Sequence, residues 1–110
     1  MMGILLVFLL TTLSNMNPMS IAVYPRISTA PSTIEVTVIV EPNEANRSLL
    51  ISVDGGNYYA SSATDVDGEY ARKINTRRFK DLPEGDYTAT ATLIRNDSSK
   101  RFAAITFVVN

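Results

Sequence analysis

Apolar and polar residues alternate along most of this chain with a period of two. The clearest run is Thr33 to Glu41, TIEVTVIVE, in which Ile34, Val36, Val38 and Val40 share one face and Glu35, Thr37 and Glu41 the other. A half-buried β-strand has this pattern, because successive side chains point to opposite faces of a sheet. Leu49, Ile51 and Val53 repeat it within Ser48 to Asp54. Tyr87, Ala89, Ala91 and Leu93 repeat it within Tyr87 to Arg95, against Thr88, Thr90 and Thr92. Ile105, Phe107 and Val109 repeat it within Arg101 to Val109, and no window from Ile21 onward carries a sustained helical period.

Weaker signals fill the intervals. Ile21 to Ser28 holds Ile21, Val23 and Ile27 around Pro25, which lacks an amide donor and so predicts an edge strand. Asp54-Gly55-Gly56-Asn57 predicts a tight turn and Asn57 to Ser62 a short return strand. Glu69 to Phe79 predicts a polar strand; Tyr70 and Ile74 share one parity and Phe79 has the other, so a bulge or kink is expected between them. Asn96-Asp97-Ser98-Ser99 predicts a hairpin turn. About seven strands at regular spacing predict an all-β, two-sheet antiparallel sandwich, with a closed barrel less favoured. The small Ala89 and Ala91 predict close approach of the sheets, with Phe79, Phe102 and Phe107 filling the core elsewhere.

The first residues break the pattern. Gly3 to Leu13, GILLVFLLTTL, is almost unbroken apolar sequence. It is about half the roughly 20 residues that a membrane-spanning helix needs. Polar residues from Ser14 to Pro18 follow it, and Ser20 and Ala22 place small side chains before Val23. The segment reads as a secretory signal peptide, although no Lys or Arg precedes Arg26 and only the α-amino group supplies positive charge. Residues 1–22 are thus expected to be an export signal and 23–110 the folded domain. The expected location is secreted, periplasmic or cell-surface, with membrane contact only through the transient signal peptide. A small exported eukaryotic domain usually carries disulfides, so the absence of cysteine favours a bacterial source.

The stretch from Phe79 to Tyr87 contains Leu82-x-x-Gly85-x-Tyr87, followed by alternating small and apolar residues. It resembles the corner before the penultimate strand of immunoglobulin-like and fibronectin-type-III-like domains, and the resemblance extends loosely over Thr33 to Val109. The resemblance implies an immunoglobulin-like fold in which Leu82 plugs the end of the core, Gly85 permits the turn, and the Tyr87 hydroxyl bonds nearby backbone as a tyrosine corner. The chain is also similar to bacterial secreted immunoglobulin-like modules found beside carboxypeptidase-regulatory-like domains. An Asp-x-Asp-Gly-x-Tyr stretch recurs there, here Asp65 to Tyr70.

Composition then narrows the chemistry. The chain has no Cys, His or Trp, which removes thiolate nucleophiles, the usual general base, and the imidazole and thiolate ligands of transition metals. A net charge of −1 argues against nucleic acid as a partner. No nucleophile elbow or base motif surrounds the Ser, Lys and carboxylate residues, so no catalytic residue, cofactor or metal is expected. A candidate ligand surface consists of Tyr58 and Tyr59, which point to opposite faces of one strand, and Arg72, Lys73, Arg77 and Arg78. Asp65, Asp67 and Glu69 could offer oxygens to calcium, but fewer than the roughly six to eight that this ion takes. Asn46-Arg47-Ser48 and Asn96-Asp97-Ser98 are glycosylation sequons in predicted loops. The function expected from all this is an exported, non-enzymatic immunoglobulin-like module acting in protein–protein interaction or as a structural spacer, with an unidentified protein or glycan as partner. The alternative is a glycan- or anion-binding module using an exposed Tyr and the basic strand.

Overall fold

The computed structural model describes residues 19–110, so the expected export signal lies outside the described residues except for its last four positions, 19–22. Every regular element of the described chain is a strand: β1 (Met19–Tyr24), β2 (Ile27–Ser28), β3 (Ser32–Val40), β4 (Asn46–Asp54), β5 (Tyr59–Asp65), β6 (Ile74–Leu82), β7 (Gly85–Arg95) and β8 (Lys100–Val109). One sheet has the order β1-β3-β6 and the other β2-β8-β7-β4-β5. Neighbours run antiparallel except β2 and β8, which are parallel. The architecture is an immunoglobulin-like two-sheet sandwich.

The count is eight because Pro25 divides the first predicted strand. β1 pairs with β3 in one sheet; past Pro25 the chain crosses to the other, where Ile27 and Ser28 pair with Val108 and Val109. Met19, Ser20, Ile21 and Ala22, which precede the expected boundary at Val23, already pair with β3, and Met19 is buried.

The core is built by the alternating residues. Ile34, Val36 and Val38 from β3, Leu49, Ile51 and Val53 from β4, and Ala89, Ala91 and Leu93 from β7 are all fully buried. Each such aliphatic side chain contributes about 1.5–3 kcal/mol by leaving water, with alanine below that range. Phe79 and Phe107 join them. Phe102 does not: its parity is opposite to that of Phe107, so it points out of β8 and is 67% exposed.

β6 departs from expectation. It begins at Ile74, and Tyr70 lies outside it and is exposed. Ile74 sits on the outer face opposite Ile39, so its parity needs no bulge to match that of Phe79. The irregularity comes later, where Ser32 and Ile34 of β3 face Leu82 and Phe79 of β6. Asp81 takes up the extra residue at φ 60°, a left-handed conformation that Asp tolerates better than most residues.

The corner before β7 is centred on Tyr87. Its hydroxyl donates to the Pro83 carbonyl at 2.6 Å. Its ring stacks on Phe107 with centroids 5.1 Å apart and meets Tyr58 edge-on at 6.1 Å. Leu82 is fully buried beside the turn. The glycine this arrangement requires is Gly55, in the β4–β5 turn: a Cβ there would collide with the Tyr87 ring. Gly85, expected to permit the turn, is less constrained, since a Cβ would meet that ring at an ordinary 3.4 Å.

Gly55→Ala is therefore expected to lower the unfolding free energy by roughly 1–3 kcal/mol through overpacking. Gly85→Ala should stay within about 1 kcal/mol of the parent, and equilibrium denaturation separates the two. Tyr87→Phe should cost about 1 kcal/mol, the net worth of one hydrogen bond. Burial, with Tyr58 adding a smaller effect, pushes the pKa of the Tyr87 hydroxyl above its ordinary value. The stabilisation this gives is complete below pH about 10 and is lost as pH rises through the folded value. Stability should thus fall less steeply above pH about 10 in Tyr87→Phe than in the parent.

A cationic cleft between the sheet edges

Among the described residues β5 and β6 are free edges of opposite sheets, and no ladder joins them. Between them opens a cleft of about 770 Å³, lined by Thr64 and Asp65 of β5, Arg72 and Lys73 of the connecting segment, and Ile74 to Arg77 of β6. β6 positions its share by register. Asn75 and Arg77 stand opposite Val38 and Val36, on the core-facing side of the strand, but at the sandwich margin. Arg77 reaches across: its Nε donates to Ser62 Oγ of β5 at 3.1 Å and its Nη1 to the Thr76 carbonyl at 2.9 Å. Asn75 is buried, and its Nδ2 donates to the Arg72 carbonyl at 3.4 Å.

Three cations and one carboxylate give the cleft a positive balance. Lys73 is partly offset by Glu41, 3.4 Å from its Nζ in an exposed pair. A charged rim over low-dielectric walls concentrates field lines and draws small anions.

The candidate residues do not form one surface. Arg72, Lys73 and Arg77 border the cleft. Arg78 faces the other way and pairs with Glu35 at 3.2 Å. Tyr58 is half-buried against Tyr87, while Tyr59 is 64% exposed on the outer face of β5. Leu82, Gly85 and Tyr87 lie at the corner described above. Asp65 borders the cleft, Asp67 is held by Arg47 Nη1 at 3.1 Å, and among the described residues no three His, Cys, Asp or Glu side chains gather as a metal site.

Asn46 of the first sequon is not in a loop. It opens β4 fully buried, with Nδ2 donating to the Glu41 carbonyl at 3.1 Å. Asn96 of the second sequon is exposed in the β7–β8 turn. The cleft residues that sequence reasoning misses are Thr64, Asn75 and Thr76. Counting inward by twos from Phe79 places Arg77 and Asn75 on the core side of β6, and that signal could have found Asn75.

Neither a protein-family model nor a curated protein matches the chain. Solved structures do. A superoxide reductase (neelaredoxin) from Ignicoccus hospitalis is 18% identical, covers 86% of this chain and 81% of its own, and has a TM-score of 0.67. A variant of the Archaeoglobus fulgidus superoxide reductase (neelaredoxin), in the reduced form, is 13% identical over 80% of this chain and 85% of its own, with a TM-score of 0.57. The reeler domain of human F-spondin is 12% identical over 86% of this chain and 90% of its own, with a TM-score of 0.58. At these identities the likeness establishes the sandwich and nothing finer.

It nonetheless corrects the expected function, which is a non-enzymatic interaction module or structural spacer, or alternatively a glycan- or anion-binding module built on an exposed Tyr and the basic strand. Superoxide reductases recur among the structures that share this architecture, so the fold lends no weight to a non-enzymatic role. The surface required by the alternative is also divided between separate faces.

Truncating the two tyrosines should separate packing from exposure. Tyr58→Ala removes a half-buried ring and its edge-on partner, and is expected to cost about 2 kcal/mol or more. Tyr59→Ala should stay within about 0.5 kcal/mol of the parent in the same denaturation assay.

Proposed function

We propose that this chain has an enzymatic redox role of the superoxide-reductase type, with the β5–β6 cleft receiving a small reactive anion such as superoxide. The observation carrying this reading is the cleft itself, in which Arg72, Lys73 and Arg77 face one carboxylate on a sandwich shared with superoxide reductases. Reduction of superoxide consumes one electron and two protons per molecule and yields hydrogen peroxide. The chain's residues do not fit a resident redox metal, because it has no imidazole or thiolate ligand. The electron therefore comes from a diffusible hydroquinone, which gives up one electron and one proton and becomes a semiquinone radical; water supplies the second proton, and this chain contributes capture and orientation of the anion. Arg77 is pre-ordered for that task by its bond to Ser62, and the cationic rim speeds encounter. The export expected from the apolar N-terminal run would bring the chain into an oxidising compartment, where superoxide is met.

The test is the decay of enzymatically generated superoxide at low ionic strength, with a small-molecule reductant, in the presence and absence of the chain. The chain should accelerate decay about tenfold, and the gain should shrink with added salt. Lys73→Ala combined with Arg77→Ala should abolish it. Equal decay with and without the chain would refute the reading.

A further inference from the structure

Among the described residues the sandwich has four free strand edges, and three are guarded. β2 is only two residues long, between Pro25 and Pro31. β1 lies against β8 and is followed at once by Pro25. β6 carries the inward-pointing Arg77, the charged Arg78 and Lys80, and the irregular step at Asp81. Short strands, prolines, charges and bulges are the devices by which proteins prevent edge-to-edge pairing.

β5 is seven residues long and has no proline and no bulge. Its sequence from Tyr59 is YASSATD, with a single charge at the far end. Its ladder to β4 is unbroken from Asp54↔Tyr59 to Ser48↔Asp65, and its other side has no strand partner among the described residues. The hydrogen bond from Arg77 to β5 goes to the Ser62 hydroxyl and takes no main-chain group of the strand. The outward row of N–H and C=O groups is therefore available.

We infer that β5 pairs with β5 of a second copy of this chain, antiparallel and centred on Ser62, so that two five-stranded sheets join across a two-fold axis. In that register Tyr59 stands opposite Asp65 of the other copy, Ala60 opposite Thr64, Ser61 opposite Ala63, and Ser62 opposite itself. No like charges face each other. Tyr59 and Asp65 both lie exposed on the outer face, so each phenol can donate to the facing carboxylate. Moving the centre toward Asp65 brings the two carboxylates together, and moving it toward Tyr59 shortens the ladder. This inference rests on the main-chain edge of β5, which also forms one wall of the cleft, and its tests read association, not superoxide decay.

Sedimentation velocity of the full chain between about 10 μM and 1 mM should show mass doubling with concentration. Ser61→Asp combined with Ala63→Asp places acids opposite one another and should leave a folded monomer over that range. Because the chain has no cysteine, Ser62→Cys is a clean reporter: residues facing each other across an antiparallel pair lie about 4.5–5.5 Å apart, within disulfide reach. Oxidation should cross-link Ser62→Cys several-fold faster than Ser98→Cys in the exposed β7–β8 turn. A parent monomeric throughout, a dimer unaffected by the double aspartate variant, or equal cross-linking of the two cysteine variants would each overturn the assignment.

Discussion

The arrangement around Tyr87 is the constraint on which the two-sheet structure turns. Its hydroxyl is tied to Pro83, its ring lies on Phe107, and Gly55 leaves its other flank open. These contacts join the corner before β7, the strand β8 and the β4–β5 turn, three segments distant in sequence. The phenol satisfies a backbone carbonyl that would otherwise compete for water at the rim, while its ring completes the end of the apolar core. A hydrogen bond at such a site is modest in net energy, because the carbonyl of the exposed Pro83 turns to water when the phenol is absent.

From that fixed end the sandwich opens toward β5 and β6. The inward positions become polar there, with Ser62 and Thr64 on one strand and Asn75 and Arg77 on the other. Polar lining keeps the sheets from closing by hydrophobic contact, and the single bond from Arg77 to Ser62 spans the gap. The cleft exists because the alternation that makes the core stops selecting apolar residues at this margin. Two buried polar atoms elsewhere, Asn46 Oδ1 and Arg95 Nε, have no hydrogen-bond partner among the described residues, and their residues are paired in register at the start of β4.

Much of the fold is legible as alternation, because a buried sheet face imposes period two on the chain. Ile34 to Val40, Leu49 to Val53 and Tyr87 to Leu93 point inward as their parity requires. Parity fails as a guide where the chain is polar on both faces: β6 starts later than its sequence suggests, and its irregular step lies after Phe79, not before it. Phe102 looks like a core residue by size alone, although its distance from Phe107 puts it on the outer face. The requirement for Gly55 is invisible in the sequence because it depends on a tyrosine ring far along the chain, a contact that no local pattern records. The cleft is half legible: its basic residues stand out, but whether Arg77 and Arg78 face the same way is settled only by pairing with β3.

The crossing at Pro25 has a mechanical consequence. β2 runs parallel to β8, held by Val108 N–H to the Arg26 carbonyl, Asn110 N–H to the Ser28 carbonyl, Ala30 N–H to the Asn110 carbonyl, and the Arg26 guanidinium to the Thr106 carbonyl. Tension reaching β2 at its N-terminal end and leaving β8 at its C-terminal end pulls the two strands past each other. All the bonds are then loaded together in shear, whereas an antiparallel pair pulled from adjacent ends would unzip one bond at a time. Resistance to such a load is set by the unfolding barrier and not by equilibrium stability. A very short strand, displaced from its neighbour by one proline, thus acts as the clamp that both sheets share.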